Sequence, residues 1–287
     1  VSLASVRAGS SASVPGVSVR ADSVVPTLVL AAHGTRSAAG ERSLAALAAA
    51  VRRARPRHRV ELSYLEISSP LLADVLPAVP GPVVVVPLLL AGGYHVHIDL
   101  PNVVAEHRPD ALVAPPLGPH RLLTTALARK LARAGLRPAD TVILGAAGSS
   151  DPAGLADVRA AAHLLAVRLG RPVTAAFTSA GSPSLGEAVE RLRSGPLLGE
   201  TVGRVRSSPL LGEAAERVSS GPASRLAVAS YLLAPGFFHG RLAEAGADLV
   251  TEPLGADPAV VELIWHRFDQ TTTRAAVPNT WSAVQTA

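Results

Sequence analysis

The sequence predicts an α/β fold of two similar lobes, each a four-stranded parallel sheet flanked by helices. Three observations carry that prediction. Short β-branched apolar runs alternate with alanine- and leucine-rich stretches, the pattern of strands joined by helical crossovers. The strongest run, residues 83–90, is interrupted only by Pro87 and is closed by Gly92 and Gly93, as for a strand buried on both faces. The order of motifs in the first half then recurs in the second, with the seam near residues 135–140.

In chain order, residues 1–24 are Ser, Gly, Ala and Val without period and read as a tail. Residues 25–32 form the first strand, ending in His33-Gly34-Thr35-Arg36. Residues 41–55 have helical composition and finish on Arg52, Arg53 and Arg55, cations that suit a helix C-terminus. Residues 60–66 alternate apolar and polar, as a second strand ending on Glu66. A short helix over 70–79 leads to the strand from Val83, which delivers His95 and His97 with Asp99 and Pro101 behind them. Residues 111–114 give a fourth strand and 119–134 a helix.

The second copy begins with the strand 141–147 and Gly148-Ser149, and Asp151-Pro152 makes an N-cap with proline at N1. The run 173–177 parallels the second strand, Ser182-Pro183 parallels Ser69-Pro70, and Tyr231 to Gly236 parallels Leu88 to Gly93. Pro253-Leu254-Gly255 repeats Pro116-Leu117-Gly118, and Asp257-Pro258 opens a closing helix. The expected organisation is a tail over 1–24, a first lobe over 25–136, a second over 137–270 and a tail over 271–287. Residues 184–196, 197–209 and 210–222 are three versions of one 13-residue unit, of which the first half has a single counterpart. Each ends in Ser, Gly or Pro, which stop helices, so short helices are expected across 184–222.

Composition narrows the function. The chain has 287 residues, 48% hydrophobic and 17% charged, enough for a large core. It has no cysteine, which excludes disulfides, zinc knuckles and thiol nucleophiles and leaves any metal to His, Asp and Glu. The net charge of +5 is almost wholly arginine, since Lys130 is the only lysine, and it suits an anionic partner. Aromatic residues make up 3%, too few for a stacking platform, so nucleic acid is not expected as a partner. No apolar segment approaches the roughly 20 residues of a membrane span, and the amino end lacks an apolar h-region. A cytoplasmic protein without a membrane partner is the expectation. The sequence leaves the oligomeric state open.

His33, Glu66 and His95 each fall at or just after the end of a successive strand of the first copy. In a parallel sheet those ends lie along one edge, where α/β proteins bind ligands. Two imidazoles and a carboxylate suit a divalent ion such as Fe²⁺ or Co²⁺, and the same groups can accept protons at neutral pH. On an extended backbone His97 would face away from His95. By the internal alignment, Ala147 stands where His33 stands, Ser179 where Glu66 stands and Phe238 where His95 stands, with His239 one position later. The duplicate keeps the scaffold and loses most of the polar set. A site in the first lobe with the second as a wall follows.

With these residues identified, the chain resembles the sirohydrochlorin chelatases, the cobalt- and iron-inserting members of the class II chelatases. The resemblance rests on Ala32-His33-Gly34-Thr35-Arg36, on Leu65-Glu66 before Ser69-Pro70, and on Gly93-Tyr94-His95-Val96 with Asp99-Leu100-Pro101. Pro116-Leu117-Gly118-Pro119-His120 completes it, and it covers about residues 26–269. It implies a duplicated chelatase-like fold and insertion of Fe²⁺ or Co²⁺, as substrate, into sirohydrochlorin, with no organic cofactor. By the resemblance His33 and His95 bind the incoming metal, and Glu66 is a further ligand or the acceptor of a pyrrole proton. Thr35, Arg36, Tyr94 and Val96 would meet the tetrapyrrole, and Arg36 and Arg108 would pair with its carboxylates. His97-Ile98 stands where polar or charged residues are commoner in the family. Two other readings stay open: a non-catalytic metal or tetrapyrrole carrier, and a phosphotransferase using His33, which would want arginine where Ala32 stands.

Overall fold

The computed structural model describes residues 25–93, 95–194 and 224–276, with His95 described by its backbone alone. The tail expected over 1–24 and the second and third repeat units lie outside the described residues. The first sheet holds β1 (Thr27–Ala32), β2 (Val60–Tyr64), β3 (Val83–Pro87) and β4 (Leu112–Val113) in the order β2-β1-β3-β4. The second holds β5 (Thr141–Ala146), β6 (Val173–Phe177), β7 (Leu226–Ser230) and β8 (Leu249–Val250) in the order β6-β5-β7-β8. Every pairing is parallel. The helices are α1 (Ala38–Ala54), α2 (Leu72–Ala78), α3 (Leu100–His107), α4 (Arg121–Arg133), α5 (Pro152–Leu169), α6 (Leu185–Ser194), α7 (Phe237–Ala243) and α8 (Pro258–Ala276).

The central strands are apolar throughout because both of their faces are covered. Along β1 and β3, Leu28, Leu30, Val84 and Val86 point to one core, while Val29, Ala31, Val83 and Val85 point to another with Leu72, Leu76 and Leu100. This is the period-2 alternation of a strand with a hydrophobic partner on either side. The inner face of the second sheet, with Val142, Leu144 and Ala229, joins the same core as Leu28 and Val84. One continuous core therefore runs through both lobes.

The helices that line this shared core are exchanged. α4 follows the first sheet in sequence but packs on α5 and β7 of the second. α8 ends the second half but packs on α1, β3 and β4 of the first. Since α4 and α8 also pack on each other, a contiguous row α1–α8–α4–α5 joins the two sheets. The Trp265 indole N–H donates to Val51 O at 3.2 Å, and Arg55 forks onto Asp269 with both bonds at 2.6 Å. Asp257 caps α8 through Ala259 N and takes a hydrogen bond from Arg129 of α4. Among the described residues no helix is long and apolar enough to cross a membrane.

Three local expectations need correction. The third strand ends at Pro87 rather than running to Leu90. Pro87 has no N–H to offer on the side facing β4, itself only two residues long, so the ladder has nothing to continue with. Residues 95–99 are not extended but form a π-helical turn that runs straight into α3, with Pro101 in that helix's first turn. The closing helix continues to Ala276, beyond the expected start of the tail at 271. Its added turn contains three threonines of low helix propensity, but Thr271 Oγ1 bonds back to Arg267 O and Thr272 Oγ1 to Phe268 O. The first 13-residue unit does form one short helix, α6, started by a reciprocal cap between Ser184 and Glu187.

The seam is pinned by a buried carboxylate. Asp140 accepts from Arg137 N at 2.8 Å and from the Arg225 guanidinium at 2.7 Å, and the arginine holds its carboxyl down at about 2. A carboxyl depressed in the folded state adds stability above its unfolded value near 3.8, and that stability is lost as pH falls towards about 2. Asp140→Asn is therefore expected to melt a few degrees below the parent at pH 7, with the gap narrowing between pH 4 and pH 2. Melting curves across that range check it; a gap that stays constant would remove the ion pair as its cause.

Candidate active site in the cleft between the lobes

The ends of β1 and β2 are locked in register beyond the last residues of either strand. Leu65 N donates to Ala32 O at 2.8 Å and Glu66 N to His33 O at 3.1 Å, so His33 and Glu66 emerge side by side. Their side chains meet, with His33 Nε2 2.9 Å from Glu66 Oε1. The carboxylate accepts, so this nitrogen carries the imidazole proton. Both side chains keep partial access to solvent, at 36% and 52% exposure.

Gly34 makes this approach possible. Its φ of +108° lies in the region open to glycine, and a Cβ there would overlap the Glu66 carbonyl oxygen. The chain then turns through Thr35, whose N–H and carbonyl are both held by the buried Ser68 hydroxyl, and enters α1 at Ser37, capped onto Gly40 N. Thr35 Oγ1 accepts from Ser37 N, so the threonine shapes the turn.

His33 opens onto a cleft of about 580 Å³ between the lobes. From the first lobe the cleft is lined by residues 88–93 and Val96; from the second by Ala147, Ser149, Tyr231, Leu233 and Phe238, among others. The expected asymmetry between the copies is visible bond for bond. Ser179 N donates to Ala147 O at 2.9 Å, matching Glu66 N to His33 O. Gly148, at φ +102°, crosses under Ala180, one residue past Ser179, whereas Gly34 crosses under Glu66 itself. Phe238 lies eight residues past Ser230 of β7, as His95 lies eight past Pro87 of β3, and those two residues are paired with Gly145 and Ala31 at equivalent register. The second copy presents alanine, serine and phenylalanine where the first has its polar set.

The structure brings His33 and Glu66 together and places Val96 on the cleft wall; Arg36 is exposed just past His33. Tyr94 and the His95 side chain lie outside the described residues. Among the described residues there is no cluster of three His, Cys, Asp or Glu side chains able to hold a metal. Arg108 is not available for a substrate carboxylate: its guanidinium is spent on Leu76 O, Val79 O, Gly81 O and Asp110, tying α3 to the end of α2. His239 Nε2 lies 3.2 Å from Thr251 O. His97 sits on the π-helical turn, where the expectation from an extended backbone does not apply. Its Nε2 comes within 2.9 Å of where a Gly92 Cβ would stand. Sequence reasoning missed Tyr231, whose buried hydroxyl donates to Leu90 O at 2.9 Å across the cleft. A tyrosine standing opposite Leu88 in the internal alignment was the available signal.

Two parallel sheets with exchanged helices, a cleft between them and a polar set on one side define a two-lobed chelatase-like fold. Residues 27–134 match the family model CbiX, which covers the first lobe and all three of His33, Glu66 and His95. The resemblance read from the motifs is thus borne out over that lobe. SirB from Bacillus subtilis with Fe³⁺ is similar in structure with a TM-score of 0.64 and 19% identity, over 87% of this chain and 96% of that one. A SirB from Bacillus subtilis subspecies spizizenii in complex with cobalt gives 0.61 and 19% over the same shares. CbiX, described as the terminal enzyme of siroheme biosynthesis in denitrifying bacteria, gives 0.56 and 19% over 88% and 99%. These likenesses establish the fold. No curated protein matches the chain in sequence.

Gly34→Ala tests the local geometry. A side chain at this φ and in this space forces β1 and β2 apart at their ends, at a cost of about 2 kcal/mol or more. We expect a lower midpoint of urea unfolding; unchanged stability would contradict the crossing geometry.

Proposed function

We propose that this protein inserts a divalent metal, Fe²⁺ or Co²⁺, into sirohydrochlorin. The observation that carries the reading is the His33–Glu66 contact at the mouth of a cleft walled on its far side by apolar residues. Two donor atoms about 2.1 Å from one ion and at right angles to it stand about 3 Å apart, so this pair already has the bite of a metal chelate. An ion bound through His33 Nε2 would leave the imidazole proton on Nδ1, which lies 3.4 Å from Gly34 O.

The balance of insertion is one M²⁺ in and two pyrrole protons out. His33 and His95 would hold the ion on the first-lobe side, and Glu66 would serve as a further ligand or take up a proton as the ring nitrogens bind. The ring would lie against the opposite wall of Ala147, Leu233 and Phe238, with Val96 and Tyr94 at its near face. Thr35 and Arg36 would meet the ring's acidic substituents, and Arg36 offers the forked geometry that pairs with carboxylates. A cleft held at fixed width would keep the ring bent towards the metal.

Anaerobic absorbance of sirohydrochlorin with Fe²⁺ or Co²⁺ tests this directly. The parent should accelerate metallation well beyond the uncatalysed rate, and the preferred ion assigns the pathway. His33→Ala should lower the rate by ~100-fold and Glu66→Gln by ~10-fold or more, with the melting temperature near the parent's. A His33→Ala/His95→Ala double variant with parental turnover would overturn the site assignment. A spectral shift that saturates at one equivalent of protein without turnover would make the protein a carrier.

A further inference from the structure

The loop that carries His95 is held by the other lobe. Among the described residues, the loop is tied to its own lobe by Leu117 N, which donates to Leu89 O at 2.9 Å. Leu90 O then accepts from the Tyr231 hydroxyl at 2.9 Å. Gly92 N donates to Asp157 Oδ2 of α5 at 2.7 Å, a short charge-assisted bond. Gly92 O is pressed against Gly154, one helical turn before Asp157, where any Cβ would overlap it. Gly93 lies beside Ser149, whose hydroxyl would be in ordinary contact with a Cβ there, at 3.4 Å. His97, in the middle of the π-helical turn, is placed so that its Nε2 and Asp157 Oδ2 lie 2.9 and 3.1 Å from the same point, where a Gly92 Cβ would stand.

Two consecutive glycines are a poor support for a metal-handling side chain, because each is free to take many backbone conformations. We propose that Asp157 is a positioning residue: its carboxylate, reaching over from the second lobe, fixes the Gly92 backbone three residues before His95 and so supports metal handling by this loop. This rests on the assignment of His33, Glu66 and His95 as the metal-handling set. It gives the second lobe a role in that chemistry beyond forming a wall. The contact requires Gly154, whose missing side chain lets α5 approach the loop, and a carbonyl-like oxygen at the tip of residue 157. The charge itself is secondary, since asparagine can present an acceptor at the same reach.

The test compares the full-length parent with Asp157→Ala, Asp157→Asn and Gly154→Ala, using Co²⁺ as the probe. Two quantities are read: Co²⁺ affinity from its visible absorption, and hydrogen exchange in the peptide covering residues 88–100. Asp157→Ala should weaken Co²⁺ binding by ~10-fold or more and accelerate exchange in that peptide by a similar factor. Asp157→Asn should restore affinity to within ~3-fold of the parent. Gly154→Ala should move both readouts in the direction of Asp157→Ala although its carboxylate is intact, which keeps the test decisive should the alanine variant at 157 fold poorly. Parental Co²⁺ affinity in Asp157→Ala overturns the proposal, as does faster exchange spread evenly over both lobes. A parent that neither binds Co²⁺ nor metallates sirohydrochlorin shows instead that the site assignment has failed, and the positioning role falls with it.

Discussion

Each sheet of this protein must bury two apolar faces, and neither half of the chain keeps all the helices needed to do so. The first half keeps α1, α2 and α3 and gives α4 to the second sheet; the second gives α8 back. The hydrophobic demand of the sheet at β3, whose residues are buried from end to end, is thus met by a helix that begins about 170 residues after that strand ends. That constraint fuses the lobes. A hinge between the sheets would have to part α4 from α8, break Arg129 from Asp257 and open a core that is continuous across both sheets. The cleft is consequently a fixed gap between two parts of one rigid unit.

A fixed gap lets the two sides specialise. Both copies preserve the same turn after the first strand, with a positive-φ glycine crossing beneath a carbonyl and a hydroxyl-bearing residue leading into a capped helix. On that shared frame the first copy carries histidine and glutamate, and the second carries alanine and serine. Chemistry needs the polar set once. The other side is free to become apolar surface, with Phe238 exposed to the cleft, and to contribute Tyr231 and Asp157 as supports.

Much of this was legible in the sequence, for definite reasons. Long β-branched runs give strands buried on both faces, and the repeat fixes register, so the equivalence of Ala147 with His33 and of Ser179 with Glu66 holds to the residue. The meeting of His33 and Glu66 followed from placing two strand ends on one edge. The helix exchange did not follow, because the apolar stripe of α4 shows that one face is buried but not against which sheet. The turn over residues 95–99 was misread because alternating histidines imitate a strand, whereas Pro101 was marking the first turn of a helix. Asp157 left no trace, being one acid on a helix, and its importance lies in what α5 happens to approach. Arg108 resembled a substrate contact only until its donors were counted.

The exchange of α4 and α8 also bears on ancestry. A single lobe cut from this chain would leave its inner sheet face bare where the other lobe's helix now lies, so an unfused half could complete its core only by domain swapping with a second copy. Such a dimer would by symmetry carry two polar sets facing one gap. Fusion of two such halves into one chain would remove that symmetry and let one half of the gap diverge into a wall while the other keeps its histidines.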